Sequence, residues 1–125
     1  MRFSSAATDG RTAVSERQRR DRAAAAPLRV RYPGLATLQV DFDFSDRSEY
    51  LPSPQVTVFH PPAQAYFRFA CPYSDCNGEF DLTSPVDLLV SSHQGHTGGQ
   101  LTCTGTRHRG AQCSLCLEFS ITAQW

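Results

Sequence analysis

A mostly β, antiparallel fold with one short helix is the architecture this sequence predicts, and three observations predict it. From Leu28 onward, apolar residues recur with a period of 2 rather than 3.6. Prolines and glycines cut the chain into short runs, as turns between strands require. Cysteines stand at or near the ends of those runs, where paired strands bring distant residues together.

The elements follow in order. Leu38, Val40, Phe42 and Phe44 alternate with Gln39, Asp41, Asp43 and Ser45, the pattern of a half-buried strand. Val56–Phe59 begins a second strand, which His60-Pro61-Pro62 stops because proline has no N–H for the ladder. Phe67 and Phe69 alternate with Tyr66 and Arg68 in a third; Phe80 and Leu82 alternate with Glu79 and Asp81 in a fourth. A short helix is expected at 84–89, with Ser84 as cap, Pro85 at the first helical position and Asp87 near the positive end. Residues 91–99 hold three glycines and two histidines and predict a flexible loop. Gln100-Leu101-Thr102 is a short strand ending at Cys103. The clearest strand is the last, with Cys113, Leu115, Leu117, Phe119, Ile121, Ala123 and Trp125 on one face.

Residues 1–26 differ in composition. They carry six arginines against three acids, a net +3, and leave the other 99 residues with six arginines against nine acids, a net −3. Their apolar content is mostly alanine with no period that buries a face, so a disordered Arg/Ala-rich tail is expected there. Other readings of such a start are an organelle transit peptide and a nucleic-acid arm. Residues 27–125 then form a single β-rich domain.

Several chemistries are excluded by what is missing. All twelve basic residues are arginine, which removes any phosphate-loop lysine, Schiff-base lysine or Ser-Lys pair. There is no His-Glu-x-x-His motif, and no His-x-Glu with Pro-Cys-x-x-Cys as zinc deaminases need. No run approaches the roughly 18 apolar residues of a membrane span, and the N-terminus lacks the apolar core of a secretory signal. A cytoplasmic, non-enzymatic chain with reduced thiols is the expectation, since five cysteines do not close a disulfide framework.

The cysteines carry the strongest signal. Cys71 and Cys76 are separated by four residues in a turn that can place two thiolates on one tetrahedral Zn²⁺. Pro72 fixes φ after the first sulfur, and Asn77-Gly78 is expected to supply positive φ after the second. Three cysteines compete for the remaining two positions. The two-residue gap favours Cys113 with Cys116, but in an extended strand these point to opposite faces. Cys103 ends a strand and is joined to Cys113 by a nine-residue loop holding Gly105 and Gly110. The expected metal set is therefore Cys71, Cys76, Cys103 and Cys113, with Cys116 as the alternative to Cys103. His93, His96 and His108 are weaker candidates.

With these residues in view, 66–125 resembles a zinc ribbon, two cysteine pairs at the ends of antiparallel strands. It also resembles a group of small uncharacterised bacterial proteins with a CP-x3-C-x-G-x-FDL stretch, matched here by Cys71-Pro72, Cys76, Gly78 and Phe80-Asp81-Leu82. The resemblance implies a structural four-cysteine zinc site on a module that contacts protein or nucleic acid. The net negative body and the acidic run at Asp41, Asp43 and Asp46 favour a protein partner over nucleic acid. Candidate contact residues are Arg68, Tyr73, Arg107, His108 and Arg109.

Overall fold

A computed structural model describes residues 6–46 and 54–125. Six strands and three helices follow one another as α1 (Ala6–Ala24), α2 (Leu28–Arg31), β1 (Thr37–Ser45), β2 (Gln55–Phe59), β3 (Arg68–Ala70), β4 (Glu79–Asp81), α3 (Thr83–Ser91), β5 (His96–Thr102) and β6 (Cys116–Gln124). A 3-10 turn at His108–Gly110 lies between β5 and β6.

The main sheet has four strands in the order β2-β1-β6-β5, all antiparallel. Its register joins the alternating stretches: Leu38 faces Ala123, Val40 faces Ile121, Phe42 faces Phe119 and Phe44 faces Leu117. Because side chains alternate across a strand, this pairing puts one continuous apolar face inward. Val40, Leu38, Leu117 and Ile121 are fully buried. Each such side chain contributes roughly 1.5–3 kcal/mol through removal from water. The opposite face carries Gln39, Asp41, Asp43, Glu118 and Ser120.

β3 and β4 form a separate three-residue hairpin over the inward face. Aromatic rings make the joint: Phe69 meets Phe42 edge-on at 4.6 Å, and Phe67 meets Phe59 edge-on at 5.2 Å. Phe80 lies 6.0 Å from Phe44. Helix α3 buries Val86 and Leu89 and packs on β5 and β6.

Four sequence expectations are corrected. The segment expected as a disordered tail is helical from Ala6 to Ala24; residues 1–5 lie outside the described residues. Alanine and arginine are among the better helix formers, and the helix docks through polar groups rather than an apolar stripe. Arg17 pairs with Glu79, Arg22 lies 5.1 Å above the Tyr66 ring, and Gln18 is buried. Hydrophobic periodicity is blind to such a face. The flexible loop expected at 91–99 gives way to strand β5 from His96, with Gly98 and Gly99 paired to Ser120 and Phe119. Ser84 does not cap α3; the helix starts one residue earlier, and Asp81 Oδ1 accepts the Thr83 N–H at 2.9 Å. The last strand begins at Cys116, so Cys113 precedes the ladder, although burial still alternates through Cys113, Leu115 and Leu117.

Candidate metal centre

Strand β3 delivers Cys71 one residue past its end, and β5 delivers Cys103 in the same way. Cys76 lies two residues before the Gly78 that leads into β4, and Cys113 lies two residues before the Leu115 that leads into β6. The four sulfurs converge: all lie within 4.8 Å of one another, and all four residues are buried. Cys76 and Cys103 Sγ are 3.6 Å apart, Cys71 and Cys113 Sγ 4.0 Å. A tetrahedral Zn²⁺ with bonds of about 2.3 Å needs sulfurs about 3.8 Å apart. Disulfides, at about 2.05 Å, are far shorter, and the five cysteines form none.

The backbone around the sulfurs repeats itself. Each sulfur accepts a hydrogen bond from the N–H two residues further on: Cys71 from Tyr73, Cys76 from Gly78 at 3.3 Å, Cys103 from Gly105 at 3.4 Å and Cys113 from Leu115. The Cys71 N–H donates to the Gly78 carbonyl and the Cys113 N–H to the Gly105 carbonyl, both at 3.0 Å. Two loops of like geometry therefore face each other. Charge-assisted N–H donors favour thiolate over thiol. Four such donors, rather than arginine side chains, are what the fold aims at the sulfurs.

Gly78 and Gly105 stand back to back between the loops. A Cβ on Gly105 would overlap the Gly78 backbone and lie 2.8 Å from Cys76 Sγ; one on Gly78 would overlap Cys103 Sγ. Close approach is thus what requires glycine at Gly78, in place of the expected positive φ. Among the described residues the glycines with positive φ are Gly34 and Gly110.

Side chains lock the loops together. Asp75 accepts from Arg107 Nε at 3.1 Å and Nη2 at 2.9 Å, and from the His108 N–H at 3.2 Å. Burial pushes the Asp75 carboxyl up, but these donors outweigh it and hold the group below the usual carboxylate range. The Arg107 guanidinium lies 3.9 Å above the Tyr73 ring. Asn77 Oδ1 accepts the Thr106 N–H at 2.7 Å. Asp46, just past β1, accepts from the Tyr73 hydroxyl at 2.8 Å and from Ser114 Oγ at 3.0 Å.

The thiols titrate unevenly. Cys71 is pushed up by donating its hydrogen bond to Cys103 and by burial; burial pushes Cys113 up to about 12. Cys103 is drawn down to about 5, chiefly by accepting from Cys71, against its own burial. Cys71, Cys76, Cys103 and Cys113 would hold a metal as thiolates, and binding would release the protons of those still in the thiol form.

The remaining candidates lie elsewhere. Cys116 is half-buried on β6, opposite Ser45 and Thr102, with its sulfur 3.9 Å from Thr102 Oγ1. Its side chain leaves the sheet on the face away from the cluster. His93 stacks on Trp125 at 3.9 Å, and His96 shares a 2.7 Å hydrogen bond with Ser120. Among the described residues no histidine joins the sulfurs. Tyr73 is buried and Arg107 is committed to Asp75, so both build the loops instead of offering surface to a partner. Arg68 is partly exposed and paired with Asp81 and Glu79; His108 and Arg109 are exposed.

One signal for the second loop is present in the sequence beyond strand parity. Cys76-Asn77-Gly78 and Cys103-Thr104-Gly105 share one Cys-x-Gly spacing, which marks the second loop as the partner of the first. Asp46 and Asp75 carry no such signal, because their partners are distant in sequence. No family model, curated protein or solved structure matches the chain.

Proposed function

We propose that this chain is a small non-enzymatic binding module whose folded state is secured by a zinc ion on Cys71, Cys76, Cys103 and Cys113. The observation that carries the reading is the convergence of four buried sulfurs, each with a backbone N–H donor, at separations matched to a tetrahedral ion. Four thiolates close the coordination shell, so the ion would be structural and offer no open position for catalysis. A set of four sulfurs suits zinc or iron and disfavours harder ions.

A protein partner is the reading favoured for the module's contacts. The outward sheet face holds a groove of about 570 Å³ crossing β1, β6 and β5 and reaching Val56 on β2. Val56 and Val58 are exposed beside it, and Asp41, Asp43 and Glu118 take part in no ion pair among the described residues. This face replaces the cysteine turns as the surface offered. A nucleic-acid reading draws support from one feature, the packing of arginine-bearing α1 against the turn that carries His108 and Arg109.

Metal analysis of protein purified without chelator tests the centre. One zinc per chain is expected, retained in Cys116→Ser and lost in Cys103→Ser. Iron in place of zinc, or well under half an equivalent of any metal, would overturn it. Generic RNA and DNA should bind weakly at physiological salt; tight binding with a steep salt slope would move the partner to nucleic acid.

A further inference from the structure

A second cleft opens on the inward side of the sheet, between α1, β2 and β3, with a volume of about 250 Å³. Its floor is aromatic, formed by Phe42, Phe44 and Phe69. Its rim is polar and carries Gln18, Arg22 and Arg68, with Gln55 and Thr57 of β2 on the far side. Among the described residues no carboxylate lines it.

Gln18 sets this cleft apart from ordinary surface relief. The residue is 6% exposed, yet its side-chain Nε2 has no hydrogen-bond partner. A buried amide without a partner is costly, and a helix position so deeply covered is normally filled by an apolar residue. An oxygen acceptor seated in the cleft relieves that cost. Beside it, the Arg22 guanidinium takes part in no ion pair among the described residues and rests on the Tyr66 ring, which fixes its position. Arg68 is already held by Asp81 at 3.3 Å and adds N–H donors more than net charge. Two guanidinium groups and no carboxylate in the lining favour an anion, and the floor selects a flat apolar body. The volume suits a single ring with a short acidic arm, since a cavity of about 150 Å³ accepts benzene.

We propose that this cleft binds a small aromatic carboxylate. The ring lies against Phe42 and Phe69, and the carboxylate accepts from Gln18 Nε2 and the Arg22 guanidinium. None of the four cysteines lines the cleft, although Ala70 and Pro72 flank Cys71, so metal content is measured alongside binding.

Three probes of like shape test it on the full chain as purified: phenylacetate, neutral 2-phenylethanol and cationic phenethylamine. Phenylacetate should bind at least tenfold more tightly than either of the others, and should shift the Gln18 side-chain amide resonance in nuclear magnetic resonance spectra. Gln18→Leu should weaken phenylacetate at least tenfold while the melting temperature holds or rises, because a leucine there buries no unpaired amide. A purely structural role for Gln18 predicts the opposite pairing, lower stability with unchanged binding. Arg22→Gln should weaken phenylacetate with metal content unchanged. Equal binding of the three probes, shifts confined to other residues, or no binding in the millimolar range would overturn the proposal.

Discussion

β1 and β6 pair along nine residues and β5 and β6 along seven, and every inward side chain of β1 and β6 is aliphatic or aromatic. β3 and β4 pair along three residues only, and the chain segments that flank them bury thiols and backbone hydrogen bonds. The first region is stabilised by area removed from water, which needs nothing beyond the chain itself. The second gathers four sulfurs that repel one another once ionised, beside the Phe67, Phe69 and Phe80 rings that dock the hairpin. With the proposed metal bound, a small domain divided in this way would take part of its stability from burial and part from the ion.

Stripping the metal is the sharpest way to separate the two regions. With strong chelator, amide exchange should accelerate at Cys71, Gly78, Gly105 and Cys113 while the β1–β6 ladder stays protected for longer. The loss should exceed that of any single substitution, on the order of 10 kcal/mol by the measure of small zinc peptides. Simultaneous exchange of both regions would show that they unfold as one unit.

Ile121→Ala attacks the other side of the division. Ile121 is fully buried opposite Val40, and removing most of its side chain should cost roughly 2–5 kcal/mol. Denaturant unfolding should show that loss with metal stoichiometry intact at low denaturant. Gly105→Ala should cost about 1–3 kcal/mol by overpacking against Gly78. It should also speed metal release to a competing chelator, which Ile121→Ala should not.

The smallest effect is alkaline and lies away from the sulfurs. Burial, then the hydrogen bond to Asp87, raises the Tyr32 hydroxyl from about 10 to about 12. Its contribution to stability is complete below about pH 10 and is lost as pH rises through about 12. Melting curves across that window should fall for the native sequence and flatten for Tyr32→Phe. An equal decline in both would place the alkaline weakness elsewhere.

How much of the molecule is legible in its sequence depends on the kind of force involved. Alternation at 38–44 and 115–123 reveals two strands and their buried faces, because burial of apolar area leaves a period in the chain; their pairing is seen only in the fold. The choice of Cys103 over Cys116 rests on the same parity, and the structure places Cys103 among the sulfurs and Cys116 on the opposite face. Helix α1 is invisible to that test because its docking contacts are Arg17 on Glu79, Arg22 on Tyr66 and a buried glutamine, none of which gives a hydrophobic rhythm. Strand β5 is hidden by its glycines, which suggest a loop until Phe119 is seen across the ladder. Gly78 stands out in the sequence as a turn residue, yet its constraint comes from Gly105, far along the chain, rather than from its own turn.

Asp46 ties these regions into one mechanical system. Its two oxygens hold Tyr73 from one cysteine loop and Ser114 from the other, while its backbone continues directly from the end of β1. A tug on the sheet at that point is thus delivered to both jaws at once. The lifetime of an ion bound between them would then gauge tension in a strand it never touches.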